Sequence, residues 1–396
     1  MSSNMKFGIG FLLSDDEIYL DSATIGKMPV SSLQVMKDFY SQHGGGVSKG
    51  THNTAIQASR FLENARFKIS NIFNVDPSKL SFLPSRETAI INALFSLDIK
   101  NEDNIITSVL EDHSILAPLI RLSKSTGSSI RYLNLEDERR ILDALQEKID
   151  INTKGVVLSV LTLGMGVTRD WRTIAKLCKD SGVPLILDIS YAIGHQPFFF
   201  NNEIPDIVIS SGSLGALGPQ GTAFQIISDE INGKLNPLLV GSGAIVALDY
   251  ENYTLLKKNS RYEPGILNIA GIGGLANSLE LLSNASFEKI ESHEKKLREM
   301  IVKEINSISQ IELITEGELK FGPIVSLVCE EIEAHDIAII LEDIGNITVR
   351  SGALCSHLFM KEIKQDSIVQ LSTHLYNTQE EIKVFNETLN SIMEEI

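Results

Sequence analysis

Short apolar runs separated by amphipathic stretches dominate the middle of the chain. NIITSVL, GVVLSVLTLG, PLILDIS, DIVISSG and GTAFQIIS are each β-branched or leucine-rich. Each is bounded by Gly, Pro, Asp or Ser, which predicts strands. DWRTIAKLCKDSG predicts a helix, with Ile174, Leu177 and Cys178 on one face and Gly182 at its end. Strands that are apolar on both faces and alternate with helices imply a mostly parallel α/β sheet. After about residue 250 the pattern changes. FEKIESHEKKLREMIVKEINSI predicts a long charged amphipathic helix, and IELITE, GPIVSLVC and ITVRSG predict strands. TQEEIKVFNETLNSIMEEI predicts a terminal helix, with Thr378 as N-cap and Glu381 three residues on. The expected division is a large α/β domain over 30–250 and a small α+β domain formed by 1–29 plus 251–396.

Charge narrows the choice of partners. Over 396 residues the formal net charge is -16, so nucleic acid and anionic membranes are disfavoured as partners. The three cysteines, Cys178, Cys329 and Cys355, are far apart and form no C-x-x-C, which indicates neither a disulfide framework nor a zinc site. The N-terminal MSSNMKFGIGFLLSDDEIYLD has no basic run before its apolar patch, and no stretch is long and apolar enough to span a membrane. The expectation is a cytoplasmic protein.

Four stretches carry candidate chemistry. Asp188 ends PLILD, and ligands of open α/β sheets sit beyond the carboxyl ends of strands. It could hold a ring nitrogen protonated, or be a plain loop acid. In PSRETAIINALF, Ser85 and Thr88 at a helix start suit a phosphate, although simple capping explains them too and Glu87 would repel an anion. SSGSLGALGPQG, with Ser211 and Ser213, is either a glycine loop that admits a ligand closely or a tight structural turn. VRSGALCSHLF sets Cys355 near Arg350, either as a reactive thiolate or as an inert buried cysteine.

Taken in order along nearly the whole chain, the motifs resemble the class V aminotransferases and, within them, the cysteine desulfurases. IYLDSATIGKMP resembles Y-L-D-N-A-A-x-G-x-x-P, and GGVSKGTHNTAIQASRFLENAR resembles the N-x-x-R-G-x-H segment and its following helix. EDHSILAPLIRL is similar to E-H-N-S-x-x-x-P-L, LDISYAIGHQP to V-D-x-x-Q-x-x-G-H-x-P, and SGSLGALGPQGTAF to S-G-H-K-x-L-x-G-P-x-G. YEPGILN resembles F-E-x-G-T-x-N, VRSGALCSHLFM the R-x-G-x-x-C loop, and LSTHLYNTQEEI the family's R-x-S-x-x-x-Y-N-T-x-E-E-I. The resemblance implies a type I pyridoxal-phosphate fold with a mostly parallel central sheet, usually a homodimer with active sites at the subunit interface. It implies pyridoxal phosphate as cofactor, with Thr88, Asp188, Ser211, Ser213 and His113 as candidate binding residues and Cys355 as the candidate sulfur acceptor.

The departures from the family pattern decide what that implies for function. The lysine that forms the Schiff base falls on Leu214, and no lysine occurs between Lys179 and Lys234. The residue before it is Ser213. The ring-stacking histidine falls on Asp112, and the adjacent His113 replaces it only with a register shift. Tyr191, Leu161, Ile266 and Gln370 stand for the family's glutamine, asparagine, threonine and carboxylate-binding arginine. The lysine anchors the aldehyde and then moves a proton as general base, and leucine can do neither. The leading expectation is therefore a non-catalytic member with no covalently bound cofactor, acting as a structural or regulatory partner in sulfur or amino-acid metabolism. It would be a homodimer or a heterodimer with an active relative. The alternatives are an enzyme of other chemistry that binds a phosphorylated ligand in the same cleft, a persulfide relay through Cys355, or catalysis rerouted through another lysine such as Lys258.

Overall fold

The computed structural model describes residues 5–395 apart from 15, 43, 48, 49, 202 and 316. Positions 48 and 49 of the GGVSKGTH stretch thus lie outside the described residues. The strands are β1 (Leu80–Leu83), β2 (Asn104–Ser108), β3 (Ser129–Leu133), β4 (Thr153–Ser159), β5 (Leu185–Asp188), β6 (Ile207–Ser211) and β7 (Ala223–Ile227), of which the five expected runs supply β2, β4, β5, β6 and β7. They form one seven-stranded sheet in the order β1-β7-β6-β5-β4-β2-β3. β7 is antiparallel to both its neighbours, and the other pairs are parallel. Alternation along each strand serves two cores. Val157 and Ile186 enter one cluster with Ile90 and Ile115, while Leu158 and Leu187 enter the other with Ile69 and Phe73. Burial on both faces explains why the strands read as continuous apolar runs.

The helices that matter for the site are α1 (Val30–Gln42), α2 (Asn53–Phe73), α3 (Arg86–Phe95), α4 (His113–Thr126), α5 (Trp171–Asp180), α6 (Ile269–Ala285) and α7 (Phe287–Ile305). In α5, Ile174 and Cys178 are buried and Leu177 is half-buried beside them; Gly182, just past the end, takes φ +68°. A second, four-stranded sheet contains β8 (Ile311–Leu313), β9 (Ile324–Cys329), β10 (Arg350–Gly352) and β11 (Ile368–Ser372), in the order β8-β9-β11-β10. With α7, α8 (Ala334–Gly345) and the terminal helix, it builds a separate core of Leu297, Ile301, Leu327, Leu341, Leu371 and Phe385. A short helix α9 (His357–Ile363) follows the Cys355 loop, and α10 (Gln379–Glu394) closes the chain. At the start of α10, Thr378 Oγ1 accepts from the Glu381 N–H and the Glu381 carboxylate accepts from the Thr378 N–H, the expected reciprocal cap.

Packing moves the division between the two units. α6 lies against α1 and α2, and Ile269, Ile272, Leu275 and Leu279 join the core of the large sheet. α7 then passes from one core to the other: Ile290 belongs to the first and Leu297 to the second. The change in sequence texture at 250 therefore marks a change in composition, while the cores part some forty residues later, inside a helix. Among the described residues no helix is long and apolar enough to cross a membrane.

Candidate active-site cleft

The loops beyond the carboxyl ends of the parallel strands converge on a cavity of about 290 Å³. Its wall includes Ser211, Ser213, Leu214, Tyr191, His113 and Cys355. Its floor is a buried ion cluster. Arg86, the first residue of α3, is 4 % exposed and reaches the carboxylate at the end of β5: its Nε donates to Asp188 Oδ2 at 2.5 Å, and Nη2 lies against the same oxygen. Nη1 donates to Asp112 Oδ2 at 2.6 Å. The Tyr191 hydroxyl donates to that oxygen at 2.8 Å, and its ring lies 4.9 Å from the guanidinium. The remaining carboxylate oxygens are occupied too. Asp188 Oδ1 accepts from the Ser190 N–H, and Asp112 Oδ1 caps α4 by accepting from the Ser114 N–H.

Burial is the largest influence on every member of this cluster. It pushes the Asp188 carboxyl above the usual range, with Asp112 adding to the rise and Arg86 opposing it. Asp112 ends below its usual value: burial works against that, but the charge and hydrogen bonds of Arg86 and the Tyr191 hydroxyl outweigh it. Tyr191 is pushed up, by burial first and then by Asp112. An isolated guanidinium would be prohibitively costly at this depth, so these acids are what allow Arg86 to be there.

The remaining sequence candidates separate into three groups. Ser211 and Ser213 do come together on the cavity wall, with their hydroxyls 3.5 Å apart. Thr88 is absent from the wall. Its N–H and hydroxyl both meet the Ser85 side chain, at 3.2 and 3.1 Å, so the cap of α3 engages both. The glycines of SSGSLGALGPQG answer the other open question. A side chain at Gly215 would strike the Ile193 carbonyl oxygen, and one at Gly218 would come 2.7 Å from the Gly212 oxygen. They admit neighbouring protein backbone, so the turn is tightly packed, while Ser211, Ser213 and Gly221 of the same loop line the cavity. His113 is exposed at the cleft mouth; its ring stacks on His357 at 4.7 Å and its N–H donates to the Cys355 carbonyl. Cys355 is itself exposed, at φ +55°, with Arg350 Nη2 at 3.8 Å from its sulfur.

The substituted positions are also visible. Leu214 is half-buried on the cavity wall. Gln370, where the resemblance expects a carboxylate-binding arginine, is fully buried in β11 and donates to Leu163 O at 2.8 Å and Ser326 Oγ at 3.2 Å. Ile266 is 87 % exposed. Lys258 is exposed beside Arg66, Asp76 and Ser260 at a separate surface depression.

Sequence reasoning missed two features. One is Arg86; the available signal was an arginine inside an apolar helix start directly after a buried strand. The other is a cluster just beneath the cleft. His195 Nδ1 lies 2.8 Å from Glu294 Oε2, and the His374 and His195 ring centroids are 4.2 Å apart. The His374 Nδ1 accepts from the Leu375 N–H, which leaves Nε2 to donate to the Gly215 carbonyl, so this ring pins the loop that carries Leu214.

Comparison with known proteins agrees with the fold. A family model described as aminotransferase class-V matches residues 18–385. A probable cysteine desulfurase of Methanothermobacter thermautotrophicus is 28% identical over 382 residues, covering 95% of each chain. The apo structure of a cysteine desulfurase from Thermococcus onnurineus NA1 superposes with a TM-score of 0.92 at 25% identity, covering 96% of each chain. A C-DES mutant with glycine covalently linked to its PLP cofactor gives a TM-score of 0.83 at 19% identity, covering 95% of this chain and 96% of that one.

Proposed function

The chain belongs to the class V aminotransferase family, with the type I pyridoxal-phosphate-dependent fold of cysteine desulfurases, and from that premise we propose that it is a cysteine desulfurase-like member that no longer performs the family's cofactor chemistry. The observation that carries this reading is Leu214 on the cavity wall, where among the described residues no lysine lines the cavity. The residues present do not fit pyridoxal phosphate as the family uses it. Position 214 offers no amine for the aldehyde, Asp188 is engaged by Arg86, and position 370 supplies a buried amide in place of a guanidinium for the substrate carboxylate. The role left to the chain is that of a structural or regulatory partner in sulfur or amino-acid metabolism, paired with a second copy or with an active relative. The test is to incubate the protein with pyridoxal phosphate, reduce with borohydride and map adducts by mass spectrometry. The expected result is no stoichiometric adduct. One modified lysine per chain would mean that catalysis has been rerouted, and would sink this reading.

A second reading is supported by the exposure of Cys355 and its proximity to Arg350. In a persulfide relay the Cys355 thiolate attacks the terminal sulfur of a donor persulfide. The donor's S–S bond breaks, the donor leaves as its thiolate, and Cys355 carries the extra sulfur, with no net oxidation. Persulfide labelling after incubation with a small-molecule persulfide should mark Cys355 and vanish in Cys355→Ser; unchanged labelling in that variant removes the relay.

A further inference from the structure

Arg86 sits at an unusual place for a cation. It is the first residue of a helix, where the macrodipole disfavours positive charge, and it is almost fully buried. It is held there by two acids brought from different elements, Asp112 at the cap of α4 and Asp188 at the end of β5. By resemblance, Asp188 is the residue that pairs with a protonated ring nitrogen, and position 112 is where the family's ring-stacking side chain stands. Both are tied to one guanidinium. Tyr191 completes the arrangement by donating to Asp112 and placing its ring beside the cation.

We propose that the Arg86 guanidinium is a built-in replacement for the cationic ring of the cofactor: it neutralises the acidic floor of the cleft from within the chain, keeps that floor folded with no ligand, and excludes ligands that carry a pyridinium. The electrostatic reason is direct. The cluster formally contains one positive and two negative charges, so removing Arg86 would leave two buried carboxylates facing each other. Adding a pyridinium while Arg86 remains would set two cations against the same Asp188 oxygen in a site of low dielectric. The protein can satisfy Asp188 with one cation or the other. This inference rests on the reading that the cofactor has left the cleft, and it explains how the fold tolerates that loss.

The test uses pyridoxamine 5′-phosphate, which has the cofactor's ring and phosphate but no aldehyde. Its binding is therefore independent of any lysine. Thermal unfolding and ligand titration are measured on the full chain, on Arg86→Ala and on Arg86→Gln, which keeps hydrogen-bonding capacity without charge. Wild type is expected to show no stabilisation by the ligand. Both variants should melt below wild type and should be restored toward it by pyridoxamine phosphate, with affinity raised by about tenfold or more over wild type, the scale of one charge-assisted contact. If Arg86→Ala does not fold, Arg86→Gln carries the comparison. Equal binding by wild type and Arg86→Gln, or no loss of stability in either variant, overturns the proposal. A borohydride-trapped adduct on a lysine away from the cleft, with pyridoxamine phosphate still excluded from wild type, would strike the preceding functional reading alone, whereas equal pyridoxamine phosphate binding strikes this one.

Discussion

At the scale of single residues, Leu214 and Arg86 differ in what the sequence could reveal. Leu214 is legible because it stands in a motif whose spacing defines the position. Arg86 is not, because its meaning depends on Asp112 and Asp188, 26 and 102 residues away. Nothing local marks an arginine as buried and doubly paired. The two residues also make a joint prediction. Leu214→Lys alone supplies an amine but leaves Arg86 on Asp188, so borohydride reduction with pyridoxal phosphate should trap little adduct at 214. Leu214→Lys combined with Arg86→Thr should trap clearly more. Equal trapping in the two, read by peptide mass spectrometry, would mean Arg86 is no barrier. Thr88 shows the reverse case: a helix-start hydroxyl is visible in sequence, but its direction is not, and in the fold it meets the Ser85 side chain of its own cap.

Elements were read best where the determining interactions are local. The Thr378–Glu381 cap spans three residues, and the period of DWRTIAKLCKDSG is enough to place its buried face. The cluster under the cleft is a different case, since His195, Glu294 and His374 come from the turn after β5, the middle of α7 and the turn after β11. Burial holds both imidazoles down to about 3. It pushes Glu294 well above the carboxylate range. In the unfolded chain a histidine titrates near ~6.5 and a glutamate near ~4.3. Below about pH 6.5 the unfolded state therefore binds protons that the folded imidazoles refuse, and both histidines withdraw stability progressively toward pH 3. Glu294, protonated in the fold, acts oppositely, adding stability as pH falls toward its unfolded value. The histidines should dominate between pH 6.5 and 5. Urea unfolding over that range should show stability falling with pH, and His374→Asn should flatten the slope by up to ~1.4 kcal/mol per pH unit. An unchanged slope would mean that His374 titrates normally.

At the scale of the whole molecule, the hairpin 245–255 exposes Val246, Leu248, Tyr250 and Tyr253, and apolar surface of this kind suits association. Sedimentation of the purified chain should find a two-chain species. Val246→Glu with Leu248→Glu should shift it toward single chains without refolding either core; a chain that is single at every concentration would remove the pairing with its own copy. The sequence by itself determined the layer architecture, because strands buried on both faces must read as continuous apolar runs and amphipathic helices must repeat at 3.6 residues. Through the order of its motifs it also pointed to the family, and it set Leu214 where the resemblance expects a lysine. Only the tertiary structure decided where the cores part, that the glycine loop is packed against the protein's own backbone, and that a buried arginine sits against the acid expected to face a cofactor. Those outcomes depend on contacts between residues far apart in the chain, where direction and charge balance in three dimensions leave no local pattern to read.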